Sequence, residues 1–305
     1  MDRQGIEMKA RLLYACTDTT GEGALWMPGS QTLLWVDIEN GILHAYDERT
    51  GEVTDRTFPD MITSLIPVEG DADSVVVALK NRLVRYSLPD RTFRTVAELP
   101  GLTPGLRTND CKAGPDGRIW AGIMSLTDHN ATGSLWRMGR GEAPVCVREK
   151  QYIPNGIVWN TRHDRMYYAD SGRHCIEEYA YDGATGDISL LRTLVQVPSS
   201  LGVPDGMAID ADDRLWVAHW GGGCVCIWDT NTGEMAGRIA VDVPNVASCT
   251  FGGGDGHRLF ITTARAGLSE RELAAAPASG SLFVVDLPAD VRPAAPFACR
   301  LEAEP

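Results

Sequence analysis

The sequence lacks an apolar run long enough to cross a membrane. Its apolar runs, such as SVVVAL at residues 74–79, have the length of a β-strand, whereas a membrane-spanning helix needs about 20 apolar residues. The first residues, MDRQGIEMKARLLYAC, contain acidic side chains and only a short apolar patch, so we expect no secretory signal. We therefore predict a protein with no membrane partner.

The sequence is also poor in basic residues. It has 28 Lys and Arg against 41 Asp and Glu, which gives a formal net charge of −13 at pH 7. Nucleic acids and anionic membranes repel such a chain, and no basic run compensates for the average. We therefore expect no nucleic-acid partner.

Cysteines occur in ordinary number and do not form a metal-binding or redox motif. There are eight in 305 residues, none of them in a CxxC arrangement, and Cys224 and Cys226 are the only close pair. On a strand this spacing places both sulfurs on one face, which suits burial better than metal capture. We expect reduced cysteines and a cytoplasmic location.

A repeated motif marks the organisation of the chain. Aromatic-Asp-x-x-Thr-Gly-Glu/Asp occurs at Tyr46, Tyr181 and Trp228, and the copies are separated by one or three units of about 45 residues. Apolar strand centres recur about every 42 to 48 residues, at Trp35, Val77, Trp120, Tyr168, Trp216 and Phe260. Such periods, with several short strands in each unit, predict an all-β fold: a six-bladed β-propeller formed by a single domain over residues 1–305.

Two further elements follow from this pattern. The strand Lys9–Cys16 precedes the first unit and has no partner there, so we expect it to close the ring by joining the last blade beside Phe297–Leu301. The stretch Leu268–Ala276 favours a helix, because Ser269 and Glu272 have the spacing of a capping box. It would interrupt blade six between its second and third strands.

Polar residues recur at the start of the first strand of four units. They are Glu22, Asn109, Asn155 and Asp205. A propeller places the first strand of every blade along a central channel, so these side chains should surround one mouth of it. The equivalent residues in blades two and six are Ser64 and Ser248.

Glu22, Asn155 and Asp205 are the candidate metal ligands. Each is followed by glycine, in GEG, PNG and PDG, and together they offer two carboxylates and one amide oxygen. This oxygen-only set favours Ca²⁺, Mg²⁺ or Mn²⁺, with Zn²⁺ or Fe²⁺ possible. The alternative is that PNG and PDG are only turns.

Arg107 and Asn109 are candidate substrate-binding residues. A guanidinium and an amide can together donate to and accept from the hydroxyl and carbonyl oxygens of a sugar-like molecule. The alternative for Arg107 is a structural salt bridge. His219, at the end of a second strand, could be a ligand or base, but a packed or hydrogen-bonded histidine is favoured.

The motifs carrying these residues resemble the family of gluconolactonase, senescence marker protein (regucalcin) and luciferin-regenerating enzyme. The similarity runs from about residue 14 to 285 and includes GEGALW with LLWVDI, RTNDCKAGPDGRIWAG, PNGIVW, PDGMAID and TTARAGLS. It implies a six-bladed propeller that holds one divalent metal ion, and many members hydrolyse sugar lactones.

Carried over by this resemblance, the metal ligands are Glu22, Asn155 and Asp205, and the substrate-binding residues are Arg107 and Asn109. The chain departs from the family at Cys111, where many members have glycine. Some members also carry a carboxylate on the loop that follows AGxM, and the nearest candidate in this chain is Asp128.

We therefore predict a metal-dependent lactonase, a monomer or small homo-oligomer, that opens a sugar lactone. Asp205 would be both metal ligand and general base, while Arg107, Asn109 and Asp128 would orient the hydroxyl groups. Two alternatives stay open: a calcium- or ligand-binding regulator of the regucalcin type without significant turnover, and a hydrolase of other esters, including phosphotriesters. A pure interaction scaffold would not need acids converging on the channel.

Overall fold

The computed structural model describes residues 5–100, 102–127 and 130–301. Over these ranges the chain forms 25 strands, one α-helix and two 3-10 turns. No helix in them is long and apolar enough to cross a membrane. Two short strands come first, β1 (Ile6–Lys9) and β2 (Arg11–Tyr14), and the remaining strands form six sheets in sequence.

The first three blades follow one another along residues 21–151. Blade one is β3 (Gly21–Met27), β4 (Thr32–Asp37), β5 (Ile42–Asp47) and β6 (Val53–Thr57). Blade two is β7 (Ile62–Val68), β8 (Asp71–Leu79), β9 (Arg82–Ser87) and β10 (Phe93–Glu98). Blade three is β11 (Leu106–Ala113), β12 (Ile119–Ser125), β13 (Gly133–Met138) and β14 (Val145–Gln151).

The last three blades have the same plan. Blade four is β15 (Pro154–Trp159), β16 (Arg165–Asp170), β17 (Cys175–Asp182) and β18 (Asp187–Gln196), with a 3-10 turn at Ser171–Arg173. A second such turn, Ser199–Leu201, leads into blade five: β19 (Val203–Ile209), β20 (Leu215–Trp220), β21 (Cys224–Trp228) and β22 (Met235–Ala240). Blade six contains β23 (Val246–Gly252), β24 (Arg258–Thr263), α1 (Glu270–Ala275) and β25 (Leu282–Asp286).

This is the predicted six-bladed β-propeller, with each blade built from consecutive antiparallel strands. All six predicted strand centres lie on the second strand of their blade. Their side chains are almost completely buried, at Trp35, Val77, Trp120, Tyr168, Trp216 and Phe260. Both faces of a blade pack against neighbouring blades, which explains why these strands do not alternate between apolar and polar residues.

The repeated Asp–Thr–Gly motif forms the predicted tight hairpin between the third and fourth strands. In blade one, the Asp47 carboxylate accepts a hydrogen bond from the backbone N–H of Arg49 at 2.8 Å. Gly51 follows with φ of 74°, a conformation that glycine adopts at little steric cost. The helix is also as predicted, because Ser269 and Glu272 form a capping box at its start.

The ring closes through the N-terminal strand, as predicted, but its partner differs. β2 pairs antiparallel with β25 and so completes blade six, while β1 adds a fifth strand to blade five, parallel to β22. The expectation that Phe297–Leu301 would be the partner is wrong. The exposed edge of β25 is already available to β2, and Pro293 and Pro296 remove donors that a strand would need.

Residues 292–300 instead form a strap across the base of the channel. Their backbone bonds begin at blade five, where Ala211 N–H donates to Arg292 O at 2.8 Å. They end at blades two and three, where Cys299 N–H donates to Pro67 O at 2.8 Å and Arg300 N–H to Gly117 O at 2.9 Å. The strap therefore ties together blades that are distant along the ring.

A polar cluster, buried at Asp18 and His44 and exposed at Asp55, joins the closing segment to blade one. Asp18, which follows β2, accepts a hydrogen bond from Trp35 Nε1 at 2.9 Å. His44 stacks on the Trp35 ring and lies between two carboxylates, with Nδ1 2.8 Å from Asp55 Oδ1 and Nε2 3.2 Å from Asp18 Oδ1. Burial alone would lower the pKa of His44, but Asp18 and Asp55 outweigh it and raise the pKa.

We predict that this cluster makes the stability of the closed ring depend on pH. Because the folded pKa of His44 is raised, its stabilising charge is fully present below the unfolded pKa of about 6.5 and is lost as pH rises through the folded value. His44→Gln should lower the unfolding free energy by about 1.5–3 kcal/mol at pH 5.5, the range for hydrogen bonds to charged groups. The loss should shrink at pH 8.5. Denaturant unfolding at both pH values measures it, and an equal loss at both would contradict the prediction.

Candidate metal and substrate site at the channel mouth

The innermost strands place their polar residues through β-bulges. The pairing register shifts at Glu22–Leu25 in β3, Thr108–Cys111 in β11, Pro154–Ile157 in β15 and Pro204–Met207 in β19. The innermost strands of blades two and six shift near their first residues as well. A bulge bends the strand and turns side chains away from the regular pleat. The repeated polar residue of each unit therefore lies at an irregularity that can direct it toward the channel.

The glycines that follow the candidate ligands have a steric role. A Cβ atom on Gly156 would lie 2.7 Å from the backbone oxygen of Asp205. One on Gly206 would lie 2.9 Å from the backbone oxygen of Ala247. These glycines allow neighbouring innermost strands to approach each other. PNG and PDG lie within the bulged strands β15 and β19 and are packing elements of the ring, so the alternative that they are only turns is wrong.

Glu22 and Asp205 interact across the mouth, because each contributes to the pKa shift of the other. Burial, followed by the charges of Asp205 and Asp110, raises the pKa of Glu22. The pKa of Asp205 is also raised, by burial and by Asp110, although its hydrogen bond with Glu22 and the charge of Arg107 oppose the shift. The mouth thus concentrates negative charge that is costly to keep without a cation.

Asn155 is held in one orientation by a chain of hydrogen bonds. The Ser171 hydroxyl donates to the backbone oxygen of Pro204 at 2.6 Å. Its single proton is then used, so it must accept from Asn155 Nδ2, 2.8 Å away. The amide oxygen consequently faces the other way, toward Asn109 Nδ2 at 3.2 Å. Asn155 therefore has the fixed amide oxygen that a hard cation requires.

The predicted metal site depends on the side-chain amide oxygen of Asn155. Within the described ranges, no group of three or more His, Cys, Asp and Glu side chains is arranged to hold a metal ion. An ion at this mouth would therefore combine the carboxylates of Glu22 and Asp205 with the amide oxygen of Asn155. The mutual repulsion of the acids and the locked amide fit such an ion.

Arg107 and Asn109 form one unit beside these residues. Arg107 Nη1 donates to Asn109 Oδ1 at 2.5 Å and to the backbone oxygen of Thr108 at 2.8 Å. Asn109 Nδ2 donates to the backbone oxygen of Pro154 at 2.7 Å. Burial lowers the pKa of Arg107, while the charges of Glu39, Glu22 and Asp205 act in the opposite direction. Arg107 thus binds amide and backbone oxygens, which differs from a simple salt bridge.

Sequence reasoning missed two charged residues of this site. Asp110 lies in the same bulge as Asn109 and is 7% exposed. Its Oδ2 has no hydrogen-bond partner in the described part of the chain, and burial raises its pKa. Lys112 follows on the same strand, and its charge lowers the pKa of both Asp110 and Glu22. Asp110 directly follows Asn109 and Lys112 lies three residues after it, and this proximity was the available signal.

Other candidates have structural roles or lie outside the description. His219 is completely buried; its Nδ1 is 3.0 Å from Leu201 O, and Trp228 Nε1 donates to its Nε2 at 3.4 Å. Burial lowers its pKa to about 4, which confirms the packed, neutral histidine. The Ser64 hydroxyl donates to the backbone oxygen of Asn109 at 3.0 Å. Asp128 lies outside the described residues.

The cysteines are buried or partly buried and unpaired. All eight lie within the described residues, and none forms a disulfide. Cys224 and Cys226 share one face of β21, as predicted, with their sulfurs 3.6 Å apart. They lie in the packed interior between blades four and five.

Comparison with known proteins shows the family of this chain. The family described as SMP-30/Gluconolactonase/LRE-like region matches residues 20–265. The chain belongs to this family. Among its relatives, the pentonolactonase XacC of Haloferax volcanii is 33% identical over 277 residues, which cover 90% of this chain and 92% of the relative. Regucalcin of Danio rerio is 31% identical over 267 residues, covering 87% and 90% of the two chains.

A solved structure supports the family fold. The crystal structure of a calcium-binding protein, regucalcin, from Agrobacterium tumefaciens has a TM-score of 0.90 to this chain at 25% identity. The match covers 97% of this chain and 99% of the other. The family's propeller therefore extends over nearly all of the residues described here.

Proposed function

We propose that this protein is a metal-dependent lactonase that hydrolyses a sugar lactone to the open-chain sugar acid. The observation that carries the proposal is the convergence of Glu22, Asp205 and the oriented amide of Asn155 at one channel mouth, beside the Arg107–Asn109 unit. The similarity to a pentonolactonase supports a lactone as substrate. A regulator or scaffold would need no hydrogen-bonding unit next to the acids.

Glu22, Asn155 and Asp205 would hold the divalent ion, with Ca²⁺, Mg²⁺ or Mn²⁺ favoured and Zn²⁺ or Fe²⁺ compatible with the same oxygens. When bound, such a cation supplies Lewis-acid polarisation of the lactone carbonyl. Glu22 carries the negative charge opposite Asp205. Asn155 Nδ2 donates a hydrogen bond to the Ser171 hydroxyl, which itself donates to Pro204 O in blade five. This bond fixes the amide so that its oxygen faces away from Pro204 and is available to the ion.

Asp205 would be the general base. Its carboxylate is buried, and its pKa is raised by burial and by Asp110, which brings its basicity closer to the working pH. It would accept a proton from the water that attacks the lactone carbonyl carbon. After the ring C–O bond breaks, the ring oxygen leaves as a hydroxyl group of the product.

Arg107 and Asn109 would orient the substrate. Arg107 is buried and uses Nη1 for Asn109 and Thr108, so its remaining N–H groups can donate to hydroxyl or carbonyl oxygens. Asp128, which lies outside the described residues, would by the family resemblance add an acceptor for a hydroxyl group. These contacts favour a polyhydroxylated ring over an apolar ester.

Activity on a panel of lactones tests the proposal. Purified protein is treated with a chelator and then supplied separately with Ca²⁺, Mg²⁺, Mn²⁺ and Zn²⁺, and acid release from pentono- and hexonolactones is followed by a pH indicator. We expect at least about a 100-fold loss after chelation and recovery with one or more ions, because charge stabilisation at the carbonyl is worth several kcal/mol. Full activity in chelated protein would refute the metal dependence. Failure to open any lactone would refute the lactonase proposal.

A second candidate is an ion-binding regulator without significant turnover. It is favoured by the similarity to the calcium-binding regucalcin structure. The two functions share the acid pair, so Ca²⁺ binding alone does not separate them. Tight Ca²⁺ binding in protein that opens no lactone and no other ester, including phosphotriesters, would favour the regulator.

A further inference from the structure

The central channel contains a cavity whose described lining includes none of Glu22, Asn155 and Asp205. Its volume is about 470 Å³, within the range of small-molecule sites. Its walls include Trp26, Trp159 and Phe251 from the innermost strands, and Phe297 from the strap. Trp26 lies four residues after Glu22 on β3, about 13 Å along a strand. The apolar walls of the cavity are therefore at the base of the channel.

Among the described residues of this lining, Lys112 is the only charged one. It is the second residue after the bulge of β11, and the equivalent positions in β3, β15 and β19 are Trp26, Val158 and Ala208. All four line the cavity. One ammonium group thus stands in a ring of otherwise apolar positions. Within the described residues, Lys112 has no hydrogen bond or ion pair.

Trp159 supplies an independent second observation. It lines the cavity and is 2% exposed, yet its indole N–H has no acceptor among the described residues. A buried donor without a partner is costly. The lining therefore combines one cation with a tryptophan whose buried indole N–H is unused, and none of the described lining residues is acidic.

We propose that this cavity binds a small amphipathic monocarboxylate, with an aliphatic or aromatic body against the aromatic walls and a carboxylate paired with Lys112. Charge complementarity selects the carboxylate, because a cation in an apolar surrounding gains most from an anionic partner. The apolar walls select the body and disfavour a polyhydroxylated sugar acid. The site borders the channel mouth at Lys112, whose charge also acts on Glu22 and Asp110. Its apolar walls lie toward the base, and the proposal does not depend on the proposed lactonase activity.

The strap forms one wall of this cavity. Ala294 N–H donates to Ile209 O at 3.3 Å, and Phe297 packs edge-on against Trp159 with ring centroids 6.2 Å apart. Both strap residues line the cavity. A ligand at the base therefore contacts the strap as well as the blades, and its binding should stabilise strap attachment.

Calorimetric titration of the metal-loaded protein with octanoate and with 1-octanol tests the proposal. The two probes share a chain and differ in charge. Octanoate should bind with a stoichiometry of one, and octanol at least about tenfold more weakly. In Lys112→Met, which retains an unbranched chain, octanoate should bind at least about tenfold more weakly while octanol is unchanged. Equal binding of both probes to the wild-type protein, no binding of octanoate, or an unchanged octanoate affinity in Lys112→Met would overturn the proposal.

Two further variants test where octanoate binds. Ala294→Leu adds volume from the strap and should weaken both probes, with the folded state verified by its thermal transition. Asp205→Asn alters the channel mouth and should leave octanoate binding unchanged. Loss of octanoate binding in Asp205→Asn would show that the carboxylate binds at the mouth, and would overturn the base site whether or not the lactonase proposal holds.

Discussion

The Asp205→Asn variant should open sugar lactones with a kcat/KM at least about 1,000-fold below the wild-type value. Asparagine has the shape of aspartate but cannot accept a proton from water, and general base catalysis contributes about 10²–10⁴-fold. It also lacks the charge that would hold a divalent ion opposite Glu22, which adds to the loss. Initial rates of acid release at saturating metal give the value directly. Asp205→Ala should lose activity to a similar degree.

The same variant should be more stable than the wild type when metal is absent. The folded pKa of Asp205 is raised, so the stability contributed by its protonated form is present below the unfolded pKa of about 3.9 and is lost as pH rises through the folded value. Above that value the wild-type protein carries a costly buried charge that asparagine removes. Thermal unfolding of chelated proteins at pH 8 should show a higher Tm for Asp205→Asn.

Asp210 provides the matched control, because it is a buried acid on the same blade with a structural role. Its carboxylate accepts hydrogen bonds from Trp216 Nε1 at 2.9 Å and from Arg214 Nε at 2.7 Å. Asp210→Asn should therefore lower Tm and retain most of the lactonase activity. If Asp205→Asn behaved like Asp210→Asn, with lower stability and retained turnover, Asp205 would be a structural residue.

The Ser171→Ala variant should bind the divalent ion about 10–100-fold more weakly, the usual cost of removing a partner that orients a ligand. Without the hydroxyl, Asn155 Nδ2 loses the acceptor that fixes its orientation, and the amide can present nitrogen instead of oxygen to the ion. Competition with a chelating dye measures the affinity. At saturating metal, kcat should recover most of its wild-type value, because Ser171 acts only through Asn155.

Ser64→Ala is the control for this effect. Ser64 occupies the same ring of residues, but its hydroxyl donates to a backbone oxygen of Asn109 and accepts from Cys111 N–H. The hydroxyl also lies 3.4 Å from Asp110 Oδ1, but in the described part of the chain it forms no hydrogen bond with Glu22, Asn155 or Asp205. The metal affinity of Ser64→Ala should therefore change less than that of Ser171→Ala. Unaltered affinity in Ser171→Ala would remove the orienting role assigned to Ser171.

The local features of the fold could be read from the sequence because each depends on residues a few positions apart. The hairpin at Asp47 and Gly51 and the capping box at Ser269 and Glu272 were predictable for this reason. The six strand centres were visible because every blade repeats one burial pattern. The partner of the N-terminal strand was predicted wrongly. Both β25 and residues 297–301 contain apolar side chains, and only packing decides which of the two segments pairs with the strand.

The site was partly predictable for a related reason. Glu22, Asn109, Asn155 and Asp205 recur at one place in the repeat, and a propeller brings such places together. Ser171 was not predictable, because its partners Asn155 and Pro204 belong to different blades and are far from it in sequence. The unpaired state of Lys112 and the cavity at the channel base likewise depend on six strands and the strap at once.

The sequence alone determined the period, the strand and turn types and the polar residue that each unit directs to the channel, because these depend on backbone preferences and burial within one blade. Tertiary structure decided the contacts made between blades. Only in the folded ring do Glu22 and Asp205 come close enough to shift each other's pKa. Only in the folded ring does the strap cross the base of the channel. Such contacts join residues far apart in the chain, and their energies depend on distances that no local pattern records.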